Sequence, residues 1–335
     1  MRFTSARTAF FLTTIGLGLA FMRAALAQQR ADVILTQTTP LADLGEIERR
    51  TRPPVYASGV AAHGQSLDLS KESYVVHVPA QKPPQGYALL VFIPPWDQAR
   101  LPPEWASVLD EKGVIFISAS RSGNNADIRS RRMPLALIAA ANMVRKYDVD
   151  PARVFVGGFS GGGRVAMRLA LAYPDVFGGA LLNSGDDPIG SLEIPIPPSV
   201  LFRKFQEESQ LFYVEGDSEQ AAIMSSRNQS IHSMRDWCVF HIDRMVMPLH
   251  GHDAATASAL DRALTALLGP TAPPPDDLES CRTRVQSRLN ARLKAVEDIL
   301  AKGDKTAARR ALDEVDAEFG GLAAPKSLEL NARLH

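Results

Sequence analysis

Neither sign of charge predominates in this sequence, in which 37 basic residues cancel 37 acidic ones. Nucleic acids and anionic lipid surfaces recruit proteins through an excess of positive charge, so the overall balance points to neither partner. Any ligand has to be argued from a local site. Cysteine is scarce, with only Cys238 and Cys281 in 335 residues. Beyond the N-terminus no run is long and apolar enough to cross a bilayer, which takes about 20 residues. What remains is an ordinary globular composition, 45% hydrophobic and 22% charged, sufficient for one sizeable core and a small second unit.

The N-terminus supplies the one apolar stretch. Arg2 and Arg7 precede apolar residues 9–22, and Ala25-Leu26-Ala27 forms a small-x-small pattern. Residues 1–27 therefore read as a secretory signal peptide removed after Ala27. Arg23 interrupts the run, which disfavours a retained membrane anchor, and no cysteine follows the cleavage site to accept a lipid. The expected location is periplasmic or secreted, with no stable membrane insertion. Export to an oxidising compartment makes Cys238 and Cys281 a candidate disulfide. It closes a loop of about 43 residues, for which chain entropy gives roughly 4 kcal/mol.

Residues 28–70 are rich in Pro, Gly and small residues and read as an irregular lead-in, with one short helical candidate at 41–50. Over 71–268 strands and helices alternate. Apolar or β-rich runs occur at 73–78, 87–93, 114–119, 153–156, 180–183, 211–214 and 239–247, and helical candidates lie at 135–147, 162–173, 220–235 and 254–268. This alternation predicts an α/β fold with a mostly parallel sheet and helices on both faces. Residues 269–277, GPTAPPPDD, read as a Pro-rich linker. Over 278–335, Leu289, Leu293, Val296 and Leu300, then Ala308, Leu312, Val315 and Phe319, recur at helical spacing around a Gly303-Asp304 turn. They predict a two-helix hairpin docked on the main domain through its apolar stripes.

The stretch with most chemical content is Gly158-Phe159-Ser160-Gly161-Gly162. It has the order G-x-S-x-G and lies between a strand and a helix, the context in which a tight turn thrusts a serine hydroxyl above the sheet. The helix N-terminus and the Gly161 N–H behind it favour a developing negative charge. Other uses of the glycines fit less well. A phosphate loop needs Lys-Ser/Thr where Arg164-Val165 stands, and the dinucleotide pattern traceable through Gly161, Gly163 and Ala166 suits an exported protein poorly.

A nucleophilic serine needs a base and an acid, downstream in that fold in the order acid, then histidine. The last strand leads into His250-Gly251-His252, of which His252 is the preferred base. The pair lacks a persuasive third ligand for zinc. Asp217 and Glu219 follow the run 211–214 as candidate acids, with Asp186 or Asp187 as weaker ones. No metal or cofactor is required.

The run 87–93 with Pro94-Pro95-Trp96, the loop Arg121-Ser122-Gly123-Asn124-Asn125, GGFSGGGRVAMRLALAYPDVFGG and Gly251-His252 together resemble α/β-hydrolase esterases of the polyhydroxybutyrate depolymerase and feruloyl esterase kind, over about residues 73–268. The resemblance implies a serine esterase with Ser160, His252 and an acid three residues after glycine, which is Glu219. It also implies an oxyanion hole after the third strand. There the family usually has His-Gly, whereas this chain has Pro94-Pro95; proline has no N–H, leaving Trp96 to act with Gly161. The implied partner is an ester, small or polymeric. The alternative is a hydrolase-fold binding protein of the cell envelope with little or no activity. The loop 184–204, with Pro188, Pro195, Pro197 and Pro198, reads as a lid or a surface crossover, and Arg121, Asn124 and Asn125 as candidate pocket residues.

Overall fold

The structure, a computed structural model, describes residues 28–52, 67–270 and 276–334. The predicted signal peptide and residues 271–275 of the predicted linker lie outside them. Eight strands form one sheet in the order β1-β2-β4-β3-β5-β6-β7-β8. These are β1 Gln28–Ile34, β2 Ser73–Val78, β3 Tyr87–Ile93, β4 Val114–Ala119, β5 Val149–Phe159, β6 Gly179–Asn183, β7 Gln210–Gly216 and β8 Ile242–Met247. β2 pairs antiparallel with β1 and β4, and every other pairing is parallel.

The continuous apolar runs YALLVFI and VIFISA are what a strand covered on both faces requires. In β3 the two-residue period sorts them: Leu89, Val91 and Ile93 enter one core and Ala88, Leu90 and Phe92 the other. The first core is closed by helices α3 Met133–Lys146 and α4 Gly161–Ala172, and the second by α2 Trp105–Lys112 and α7 Ala257–Leu268. Two further helices, α5 Ser199–Glu208 and α6 Ala221–Asp236, contribute Phe202, Phe205, Ile231 and Met234 to the first core.

The lead-in departs from expectation. It contributes the edge strand β1 and a helix, α1 Leu44–Thr51, whose Ile47 is fully buried. Backbone pairing with β2 needs no apolar alternation, so period alone could not reveal the strand. Helix α5 likewise occupies the end of the loop read as a lid or crossover. Its N-terminus follows Pro198, which carries the chain into the helix.

At the C-terminus the predicted hairpin is present as α8 Leu278–Ala301 and α9 Lys305–Phe319, turning at Gly303 with the Asp304 side chain accepting the Ala307 N–H. A third helix, α10 Ala324–Leu334, follows. Leu289, Leu293, Val296, Leu312, Val315 and Phe319 are continuous with the first core, and Trp237 meets Phe319 edge to face at 5.6 Å. No helix among the described residues is long and apolar enough to cross a membrane.

Cys238 and Cys281 are bonded, closing a separation of 43 residues and tying α8 to the turn after α6. Replacing both by serine is expected to lower the unfolding free energy by about 4 kcal/mol through the freer unfolded chain. Denaturant titration of the two proteins checks this, and equal midpoints would mean that packing alone fixes the C-terminal helices.

Candidate active site

The strand order doubles back around β3: the chain moves from β3 outward to β4 and then returns to the other side as β5. Beyond the carboxyl ends of β3 and β5 the loops must diverge, and the crevice between them is where open α/β sheets place ligands. Ser160 sits there, at the end of β5, with φ 55° and ψ −126°. Such a conformation costs a non-glycine residue on the order of 1–3 kcal/mol. It is held by the Ser160 N–H, which donates to the Asn183 carbonyl at 2.8 Å, and by the Ser160 carbonyl, which accepts the Gly163 N–H at 2.9 Å. A Cβ on Gly158 would lie 2.3 Å from the Gly162 carbonyl, and one on Gly162 would lie 1.9 Å from the Ile93 oxygen. Strand and helix are nested more closely than any side chain allows.

His252 reaches this serine from the loop after β8. Its Nε2 is 2.9 Å from Ser160 Oγ and its Nδ1 is 3.0 Å from Glu219 Oε2. A carboxylate can only accept, so Nδ1 carries the hydrogen and Nε2 is left to accept the serine O–H. The Glu219 side chain is completely buried, and its second oxygen accepts the Gln220 N–H at 2.9 Å. Phe159 packs its ring 4.9 Å from the imidazole.

The other candidates are elsewhere. Asp217 is not at the imidazole: it is exposed and accepts the Leu249 N–H at 3.0 Å and the Ser218 hydroxyl, bonds that hold its carboxyl below the usual range. Two residues further on, Glu219 is the one that turns in. The His250 ring lies against the Pro248 carbonyl. Asp187 pairs with Arg164 and Arg168, and Arg121 turns to Glu72 and the Lys71 carbonyl. Asn124 does reach the site, its carboxamide lying in the space that a Cβ on Gly161 would take. The Trp96 amide makes no hydrogen bond among the described residues, and its buried indole N–H also has no partner. Arg100 stacks on the Trp96 ring at 4.0 Å.

Two buried residues that no sequence motif marks, Arg132 and Asn183, position these groups. Arg132 donates to the Ser122 and Pro94 carbonyls, each at 2.9 Å, clamping together the loops that carry Asn124 and Trp96. Burial, with Arg168 nearby, lowers its guanidinium to about 10. The Asn183 side chain accepts the Ala255 N–H at 2.6 Å and donates to the Asp253 carbonyl at 3.2 Å, so it grips both sides of the loop just after His252. An asparagine or arginine in these places carries no motif, and the only signal was its position beside a strand end or a loop of interest. Asn183→Ala strands the buried Ala255 N–H and is expected to cost on the order of 1–3 kcal/mol, read by denaturant titration.

Asp186 is buried, with Oδ1 unpartnered, and burial with Asp187 alongside raises its carboxyl to about 7. Because the folded value exceeds the unfolded one, its contribution to stability is complete at pH values below the ordinary carboxylate range and is lost as pH rises through about 7. Asp186→Asn is therefore expected to stabilise the protein at pH 8, with the gain vanishing toward pH 4. Urea melts at the two pH values measure it, and a gain of equal size at both would contradict the assignment.

No protein-family profile matches the chain. A poly(3-hydroxybutyrate) depolymerase of Ralstonia pickettii is 29% identical over 98 residues, a match that takes in 25% of this chain and 20% of the depolymerase, so the chain spans about a fifth of that relative's length. Among solved structures, a ferulic acid esterase aligns with a TM-score of 0.47 at 16% identity over 72% of this chain and 98% of its own. The S-formylglutathione hydrolase of Staphylococcus aureus aligns at 0.46 and 12% over 59% and 93%, and Est1E of Butyrivibrio proteoclasticus at 0.43 and 14% over 61% and 95%. At such low similarity the assignment rests on the sheet order, the elbow after β5 and the helices on both faces, and by these the chain has the α/β-hydrolase fold.

Proposed function

We propose that this protein is an exported serine esterase that hydrolyses a carboxylic ester through an acyl-enzyme. The observation that carries the proposal is the unbroken chain of hydrogen bonds from Ser160 Oγ through His252 to Glu219. Ser160 Oγ attacks the ester carbonyl while His252 Nε2 takes its proton. The oxyanion formed is held by the N–H groups of Gly161, at the start of α4, and Trp96. Collapse returns the proton from His252 to the departing alcohol, leaving Ser160 acylated. Water, deprotonated by the same nitrogen, then releases the acid. Glu219 keeps the imidazole in the required tautomer and stabilises its transient cation. Export is supported by residues 1–27 and by the disulfide, a bond suited to an oxidising compartment.

Hydrolysis of a short acyl nitrophenyl ester tests the reading. Ser160→Ala is expected to lose about 10³-fold or more in kcat/KM, and a fluorophosphonate probe is expected to label wild type at Ser160 alone. Equal rates in the two proteins, together with an unlabelled serine, would leave the scaffold to a binding role.

A further inference from the structure

About two turns along α4 from Ser160, a cavity of about 320 Å³ opens between the end of α1, residues 127–133, α4 and residues 192–197. Its walls combine the accessible apolar side chains of Ile128 and Leu192 with three arginines, Arg50, Arg129 and Arg168, over a floor of buried Met133 and Leu171. Two of the three are neutralised. Arg50 is held by Asp175 and Glu46, each at 2.6 Å, and Arg168 by Asp187 at 2.9 Å and Glu193 at 3.3 Å. Arg129 differs: half-buried, its guanidinium makes no hydrogen bond or ion pair among the described residues, although its backbone N–H bonds the Asp127 carboxylate. The nearby lining carboxylate, Asp127, is occupied by the Ser130 amide and hydroxyl, at 2.7 and 2.8 Å. Burial, followed by the charge of Arg52, pushes the Arg129 guanidinium below its ordinary value.

Asp127 and Glu48 act on this cation only through space, and a guanidinium drawn half out of water with no hydrogen-bonded partner is costly. Its planar fork matches a carboxylate, which it can bind through two parallel hydrogen bonds. The flanking apolar walls suit a chain attached to that carboxylate, and the volume falls at the lower end of ordinary small-molecule sites, about 300–1,000 Å³.

We propose that this cavity binds an amphiphilic carboxylate, a short aliphatic chain ending in a carboxylate, with Arg129 on the head group and Ile128 and Leu192 along the chain. Ser160 is not part of its lining, so the site is independent of the hydrolytic reading and stands or falls separately from it.

Calorimetric titration of the full chain with octanoate tests this, with acetate supplying the charge without the chain, 1-octanol the chain without the charge, and inorganic phosphate an anion of different shape. Octanoate is expected to bind saturably and at least about tenfold more tightly than the other three. Arg129→Gln, which breaks no existing side-chain bond, is expected to weaken octanoate about tenfold or more. Leu192→Ser, on the exposed rim, is expected to weaken it as well, and Ser160→Ala to leave it unchanged. The proposal is overturned by absent saturation, by Arg129→Gln binding as well as wild type, by phosphate binding as tightly as octanoate, or by loss of binding in Ser160→Ala, which would place the probe in the active site.

Discussion

The bend at Ser160 is the constraint on which the rest of the site depends. Its backbone is unfavourable alone, by roughly 1–3 kcal/mol, and exists because both sides are fixed by burial. β5 lies between β3 and β6 in parallel register, and α4 is anchored by Val165, Ala166 and Leu169, all fully buried. The short span between strand and helix leaves no conformation but the strained one. The hydroxyl is thereby aimed away from the sheet by the core itself, independently of any partner it meets.

The hydroxyl's partner must then be brought to a fixed point, and the loops that carry Glu219 and His252 are fastened together there. At Gly216, the last residue of β7, a Cβ would lie 2.0 Å from the His250 carbonyl and 2.3 Å from that of Gly251. The two loops cross at a separation only glycine permits. The Asp217 N–H donates to Met247, the Ser218 N–H to His250, and the Asp217 carboxylate accepts the Leu249 amide. Asp217 therefore braces the loop of His252, while Glu219 turns inward to meet the imidazole itself. Asn183 adds the third tie: its backbone accepts the Ser160 N–H and its side chain grips Asp253 and Ala255. The Ala255 carbonyl is gripped in turn by the Trp105 indole at 2.7 Å. Ser160 and the His252 loop are thus referred to one buried residue.

These layers differ in how far they could be read from the chain. β2, β3 and β4 were legible to the residue, because strands buried on both faces announce themselves as apolar runs bounded by polar ones. The elbow at Ser160 is legible because it demands glycines, and His252 stands out as the histidine after a glycine in the loop beyond the last strand. β1 was not, since an edge strand such as QQRADVI is specified by backbone pairing with a strand 39 or more residues later. The choice between Asp217 and Glu219 was left open by composition and position, both being acids after the same strand. Which of the two lies against His252 follows from the tertiary crossing at Gly216, which no local pattern encodes. Asn183 and Arg132 were invisible for a related reason: each acts on backbone carbonyls and amides of loops remote in sequence, contacts that any residue type could offer.

The departure at Pro94-Pro95 takes on a different aspect in this light. Two prolines remove two amide donors beyond β3, but they also restrict the chain where it leaves the sheet. The carbonyl of Pro94 is held by Arg132 and that of Pro95 by the Asn124 amide at 3.0 Å. Trp96, the first residue past them with an N–H to give, is covered on its ring by Arg100 and set 6.1 Å from the ring of Phe159. A donor so confined has little freedom to lose when charge develops opposite it, and preorganisation of that kind is where electrostatic stabilisation draws its strength. On the proposed reading, the prolines exchange the number of donors for the rigidity of the one that remains, and Arg132 is the residue through which the core enforces that exchange.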